Sequence, residues 1–282
     1  LLLLSACKTK EVPIPSYLYI DPFSLTTDLG TQGNPSSRIT DGHVFINGRF
    51  QGIYELPIVI PVFTEGPATV VVLPGIKENG ANANRKIIRT LEAYEQVVAF
   101  SKTKIDSIYP STVYKPNVQF KWIEDFELGT YSTAPSSKNT HSDSIVIIDR
   151  DHPNAFKGPF SNYSAAILFP KTNDRIFFEH ASVEKFLVPG MGRDIYLEID
   201  YKTNIELQIG IYADKPDMYE QIPFIILNPS EEWKKIYINL SIETSVLPAN
   251  SPIQIFYGFV KPQGVEMAPE VYLDNIKLNY LN

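Results

Sequence analysis

Apolar and polar positions alternate with a period of two along much of the chain, which predicts strands nearly throughout. Ile195, Leu197 and Ile199 share one face, as do Ile205, Leu207, Ile209 and Ile211. Ile236, Ile238 and Leu240 repeat the pattern, followed by Ile253, Ile255, Tyr257 and Phe259. Half-buried strands at this spacing pair antiparallel and stack as a sandwich. Nearer the N-terminus, Val44 and Ile46 alternate with Phe45, Asn47-Gly48 follows, and residues 49–54 return. Asn-Gly between apolar runs predicts a type I′ hairpin. Residues 57–63 and 68–73 add β-branched runs, split by Glu65-Gly66-Pro67. Over 85–100 the spacing of Ile87, Ile88, Leu91, Tyr94, Val97 and Val98 is closer to helical. Strands are expected there too, because no good cap precedes the run and its neighbours are β.

The expected fold is all-β, a small N-terminal β-sandwich over 16–115 followed by a C-terminal jelly-roll β-sandwich over 118–282. Two modules suit a chain of 282 residues, which exceeds the usual single-domain length. Aromatics are 12% of the chain and Pro outnumbers Gly, 22 to 15. That balance favours packed strands joined by firm turns. A formal charge of −7, with no Lys/Arg cluster to track phosphates, speaks against nucleic acid as a partner.

The single cysteine, Cys7, follows Leu4-Ser5-Ala6 at the end of an apolar run and precedes polar Lys8-Thr9-Lys10. One thiol excludes a disulfide framework or a cysteine metal site. Leu4-Ser5-Ala6-Cys7 resembles the bacterial lipobox, in which the thiol is diacylated (palmitate-type chains) after signal cleavage. Residues 1–6 then read as a signal-peptide remnant and 7–15 as a lipidated tether, with Pro13 and Pro15 enforcing extended backbone. Two or three acyl chains anchor stably without a membrane span. The expected location is the outer membrane, on its surface or its periplasmic side.

Further resemblances refine the modules. Val44-Phe45-Ile46-Asn47-Gly48, Gly52 to Pro57, Gly66 and Pro74-Gly75 are similar to the PEGA-like and carboxypeptidase-regulatory-like β-sandwich. Phe126-Glu127, Leu273-Asp274-Asn275-Ile276 and Glu232-Trp233-Lys234-Lys235-Ile236-Tyr237 resemble the terminal and late strands of carbohydrate-binding-module-like jelly rolls (galactose-binding-type). Together they look like a family of uncharacterised Bacteroidota outer-membrane lipoproteins. The resemblance implies a structural Ca²⁺ on Glu127 and Asp274, oxygen ligands of the kind the ion prefers. Ser107 and Ser144, in Asp-Ser-Ile triplets, match the O-glycosylation pattern of such bacteria.

Catalytic constellations are absent from the sequence. Glu198-x-Asp200 begins the Glu-x-Asp-x-x-Glu of jelly-roll glucanases, but Thr203 stands at the third position. Both acids are expected on an outward polar face. Glu124, Asp125 and Glu127 form a second acidic cluster. His43, His141, His152 and His180 show no metal-ligand spacing and are expected mostly at the surface or in turns. Trp122, Tyr196, Phe256 and Tyr272 sit at alternate strand positions, where rings either fill a core or form a sugar-stacking platform. The expected function is non-catalytic, an accessory or docking subunit of an outer-membrane transport, secretion or assembly complex with an outer-membrane protein partner. The alternative is a surface lipoprotein that binds polysaccharide through its jelly roll.

Overall fold

A computed structural model describes residues 13–138, 145–169, 177–190, 193–216, 218–248, 251–262, 264 and 266–282. Cys7, His141 and Ser144 lie outside the described residues.

The N-terminal module runs β1 (Ser16–Ile20), β2 (Ser24–Thr26), one helical turn α1 (Leu29–Gln32), β3 (Asp41–Ile46), β4 (Arg49–Glu55) and β5 (Ile58–Val62). It continues with β6 (Gly66–Lys77), β7 (Arg85–Ile87), β8 (Tyr94–Phe100), β9 (Ile105–Ile108) and β10 (Ser111–Val113). β3 lies between β4 and β6, and the free edge of β6 is shared by β8 and β7. A three-stranded sheet β5-β1-β9 and a β2-β10 ribbon complete the module. Leu18, Ile20, Val44, Ile46, Ile60, Val70 and Val72 fill the core between them. The Asn47-Gly48 hairpin forms as expected: φ is 49° and 74°, and Asn47 Oδ1 accepts from Thr69 N at 2.9 Å. Residues 85–100 are strands β7 and β8 with a turn between them, not a helix.

The jelly roll comprises β11 (Val118–Glu124), β12 (Thr133–Pro135), β13 (Val146–Asp149), β14 (Tyr163–Leu168), β15 (Phe177–Ser182) and β16 (Ile195–Thr203). Then come β17 (Leu207–Lys215), β18 (Met218–Leu227), β19 (Ser230–Asn239), the short helix α2 (Ser241–Ser245), β20 (Ile253–Val260) and β21 (Glu270–Leu281). One sheet is six-stranded, β13-β14-β21-β16-β19, with β11 beside the C-terminal half of β21. The other is five-stranded, β12-β15-β20-β17-β18. The alternating rows named from sequence, Leu197 and Ile199, Ile209 and Ile211, Ile236 and Ile238, Ile255 and Tyr257, interdigitate between the sheets.

The other face of the six-stranded sheet carries a row that the sequence places in water, and here the structure corrects the expectation. Glu198, Asp200, Lys277 and Asn279 are at most 2% exposed, because the N-terminal module lies over them. Tyr114 Oη and Asn279 Nδ2 each donate to Glu198 Oε1 at 2.8 Å. Lys235 Nζ stands 3.5 Å from both Glu198 and Asp200. Lys277 Nζ donates to Asn34 O at 2.5 Å and lies 5.3 Å from the Tyr114 ring centroid. Tyr237 Oη accepts from Arg38 N, while Tyr196 Oη and Asn239 Nδ2 donate to Glu78. Gly33 lets the covering segment pass close: its φ is 68°, and a Cβ there would sit 3.0 Å from Ile123. Burial pushes the Lys277 ammonium down to about 8 and the Asp200 carboxyl up, the latter against the pull of Lys235.

Removing one donor from this seam leaves a buried carboxylate under-satisfied. Tyr114→Phe is therefore expected to cost about 1.5–3 kcal/mol in urea unfolding. A change near zero would mean that water already reaches Glu198.

Candidate functional site

The outer face of the five-stranded sheet is not covered in this way. Its floor is kept low by small residues. A Cβ on Gly210 would fall 2.4 Å from the Phe256 ring, and one on Gly258 would fall 2.5 Å from Phe178 O. Phe256 occupies the space above Gly210 and is itself fully buried. Tyr212 packs against it, centroids 5.2 Å apart, and Tyr219 stacks on Tyr212 at 4.9 Å with only 8° between the planes. Strand pairing sets this row: Tyr212 is opposite Gln221, and Asp214 opposite Tyr219, so the two tyrosines meet on the diagonal. The row climbs from buried Phe256 to Tyr219, which is 47% exposed.

Polar groups line the same face. Tyr212 Oη donates to Glu179 Oε1, and Gln221 Nε2 donates to Glu179 Oε2 at 2.7 Å. Lys138 Nζ donates to Gln221 Oε1, and Tyr219 Oη to Gln254 Oε1 at 2.7 Å. Lys185 pairs with Asp214 at 2.6 Å and stands 5.7 Å from the Tyr219 ring centroid. Burial, then the hydrogen bond to Glu179, raises the Tyr212 phenol; burial, then Asp214, raises Tyr219. Both stay neutral near pH 7 and can donate. Two depressions adjoin across the Tyr212–Glu179 contact. One, of about 160 Å³, is bordered by Phe177, Gln208 and Val260; the other, of about 270 Å³, by Ser136, Tyr219 and Gln254. The result is a shallow groove with one exposed ring and several amides, the combination that orients small polar ligands.

The stacking candidates named from sequence fall elsewhere. Trp122 is a core side chain, stacked on Phe186 with Nε1 donating to Ser132. Tyr196 is buried in the N-terminal core, and Phe256 lies beneath the groove. Tyr272 borders an opening of about 540 Å³ with Asn154, Lys202 and Glu270. Its ring is only 3% exposed, and its hydroxyl is held by Asn154 and Glu270, so no platform is presented there. Alternation puts a ring on one face or the other; it does not say which face is covered. Tyr219 was missed because it lies at the start of an edge strand whose apolar run shows no period-two alternation, and its diagonal neighbour Tyr212 was the available signal.

The remaining candidates also acquire definite surroundings. Glu127 accepts from Asn162 N, Asn162 Nδ2 and Tyr163 N. Asp274 accepts from Ser161 Oγ, Ser164 Oγ and Asn275 N, and burial raises its carboxyl well above the usual range. Each thus turns three of roughly four lone-pair directions toward protein hydrogens, where a cation needs them free. A Ca²⁺ shared by Glu127 and Asp274 does not fit this arrangement. No group of three His, Cys, Asp or Glu suited to a metal occurs among the described residues. Glu124 binds Ser132 and the Phe126 backbone, and Asp125 caps Glu127 N. His180 and His43 are buried strand residues rather than surface ones, His180 stacked on Phe178 at 4.8 Å; His152 sits in a turn. Ser107 is exposed on β9.

No protein-family model matches this sequence, and no curated protein matches it. Solved structures with a similar layout include the family 11 carbohydrate-binding module of a cellulosomal cellulase of Clostridium thermocellum, at 15% identity and TM-score 0.38, covering 56% of this chain and 93% of that one. A family 22 xylan-binding module from Paenibacillus barcinonensis is similar at 10% identity and TM-score 0.38, covering 58% and 96%. The enzymatically active domain of bacteriophage CBA120 tailspike protein 4 is similar at 10% identity and TM-score 0.36, covering 58% and 19%. What those proteins bind or cleave is a statement about them; the chemistry of this groove comes from its own side chains.

The two classes of aromatic should separate in unfolding experiments. Trp122→Ala is expected to cost about 3–5 kcal/mol, as core truncations do. Tyr219→Ala should cost no more than about 0.5–1.5 kcal/mol, the worth of its stack on Tyr212. Equal losses would contradict the placement of Tyr219 on an open face.

Proposed function

We propose that this chain is a non-catalytic glycan-binding protein and that the groove on the five-stranded sheet takes a neutral polysaccharide. This reading is preferred to the accessory-subunit role. The observation that carries it is the Tyr219–Tyr212 stack beside Gln208, Gln221, Gln254 and Glu179. A sugar ring has an apolar face that packs on an aromatic ring and a hydroxyl rim that needs amide and carboxylate partners. Gln208 has no side-chain hydrogen-bond partner among the described residues, so its amide is available for such a rim. Openness at both depressions suits a chain passing through rather than a sealed pocket for one monosaccharide. Glu179 holds the wall: both oxygens accept from groove side chains, which argues against a free acid or base.

Presentation at the outer membrane through a lipid on Cys7 completes the proposal. It accounts for the lipobox-like Leu4-Ser5-Ala6-Cys7 and for the absence, among the described residues, of a helix long and apolar enough to cross a membrane.

Affinity electrophoresis of the full chain through soluble β-glucan, xylan and galactan tests the groove. Retardation by at least one of them is expected, and Tyr219→Ala should weaken it about tenfold while leaving the fold intact. Binding that ignores Tyr219 would refute the site, and no retardation in any neutral polysaccharide would refute the reading. For the anchor, an alkynyl fatty acid fed to expressing cells should label the wild type but not Cys7→Ser.

A further inference from the structure

The three-stranded sheet β5-β1-β9 of the N-terminal module turns one face to the core and the other away from it. Leu18, Ile20 and Ile60 point inward, and the strand register puts Tyr17, Tyr19, Val59, Pro61, Ile105 and Ser107 on the outward face. No Asp, Glu, Lys or Arg stands at an outward position of these three strands; Asp106 pairs with Leu18 on the inward side. Phe63 and Tyr109, one residue beyond β5 and β9, keep the same alternation. Phe63, Ile105 and Tyr109 are 65%, 63% and 68% exposed, and Val59 is exposed between the rings. A soluble monomer rarely leaves so many large apolar side chains together in water, and such a patch marks a contact surface. Backbone hydrogen bonds fix where the chain enters this sheet: Thr103 N donates to Pro15 O at 3.0 Å, and Tyr17 N to Lys104 O at 2.8 Å. The segment that follows Cys7 therefore arrives at the end of the sheet that holds Phe63 and Ile105.

We propose that this outward face rests on a lipid bilayer surface. With the lipid on Cys7 proposed above, on which this reading rests, the reach is short. Ser16 stands nine positions after Cys7, so the anchor holds this end of the sheet within about 30 Å of the bilayer even when fully extended. The composition of the face suits the boundary between headgroups and acyl chains. Phe63, Val59 and Ile105 have apolar area to bury there, while the tyrosines pair an apolar ring with a hydroxyl that stays at the polar level. Charges at the rim are of both signs: Lys102 pairs with Glu65 at 3.2 Å, and Lys104 and Asp21 lie at opposite ends of the strands. Attachment is thus apolar rather than electrostatic. Ser107, opposite Tyr19, would carry any glycan into the same contact, so O-glycosylation there and seating on lipid exclude one another.

Flotation with phosphatidylcholine vesicles tests the face, using the full chain with Leu1→Ser, Leu2→Ser, Leu3→Ser, Leu4→Ser and Cys7→Ser. That chain carries neither an acyl group nor the apolar run before Cys7, so the result does not depend on lipidation. It is expected to float with the vesicles, and added salt should leave the bound fraction unchanged. Adding Phe63→Ser with Ile105→Ser alters only exposed side chains and should lower partitioning about tenfold or more. Phe50→Ser with Val97→Ser, exposed on the module's other sheet, should leave partitioning unchanged. Flotation together with a Cys7 that takes no alkynyl fatty acid would refute the anchor and support the face. Absence of flotation, loss of binding in salt, or equal losses from the two double variants would each overturn the proposal. So would a dimer in sedimentation that the Phe63 and Ile105 changes dissolve, since a second copy would then own the face.

Discussion

The buried charged seam on the six-stranded sheet organises the rest of the molecule. Glu198, Asp200, Lys235 and Lys277 project from the outer face of a jelly-roll sheet, a position that ordinarily faces water. Here Tyr114, Asn34 and the segment around Gly33 close over them. Such ions contribute little net stability, because desolvation offsets their attraction. Breaking one partner is costly, since it strands a charge in a poorly solvating interior. The seam is better understood as a register device: only one placement of the N-terminal module gives Glu198 its Tyr114 donor and Lys277 its carbonyl. Tyr196 and Tyr237 extend the same contact into the N-terminal core.

That covering leaves the five-stranded sheet as the jelly-roll face on which an extended ligand can lie. Gly210 and Gly258 keep its floor low, Phe256 fills the gap above Gly210, and the tyrosines rise from it as a short stair. Amides and phenols line the open sheet together with Glu179 and the Lys185–Asp214 pair.

Much of the architecture was legible in residue order. Alternation at 195–199, 205–211, 236–240 and 253–259 marks the core-facing rows, and Asn47-Gly48 marks its hairpin. Strands over 85–100 also form despite their helix-like spacing, because Gly75–Lys77 and Gly66–Val72 of β6 offer them an edge. What alternation could not convey is which outer face another module would cover. For that reason Glu198 and Asp200 read as solvated and Tyr196 as a candidate platform, whereas Phe256 is buried by neighbours on its own sheet, Tyr212 among them. Covering is set by long-range contacts, Tyr114 with Glu198 and Arg38 with Tyr237 among them, that leave no local periodic trace. Tyr219 escaped for a related reason: its meaning depends on a diagonal partner in the neighbouring strand.

Hydrogen–deuterium exchange on the full chain, with and without a saturating neutral oligosaccharide, tests the central claim most directly. Protection is predicted in β17, β18 and the start of β20, around Tyr212, Tyr219, Gln221 and Gln254, with the six-stranded sheet unchanged. Protection centred instead on Tyr272 and Asn154, or on the N-terminal module, would contradict the assignment of the groove.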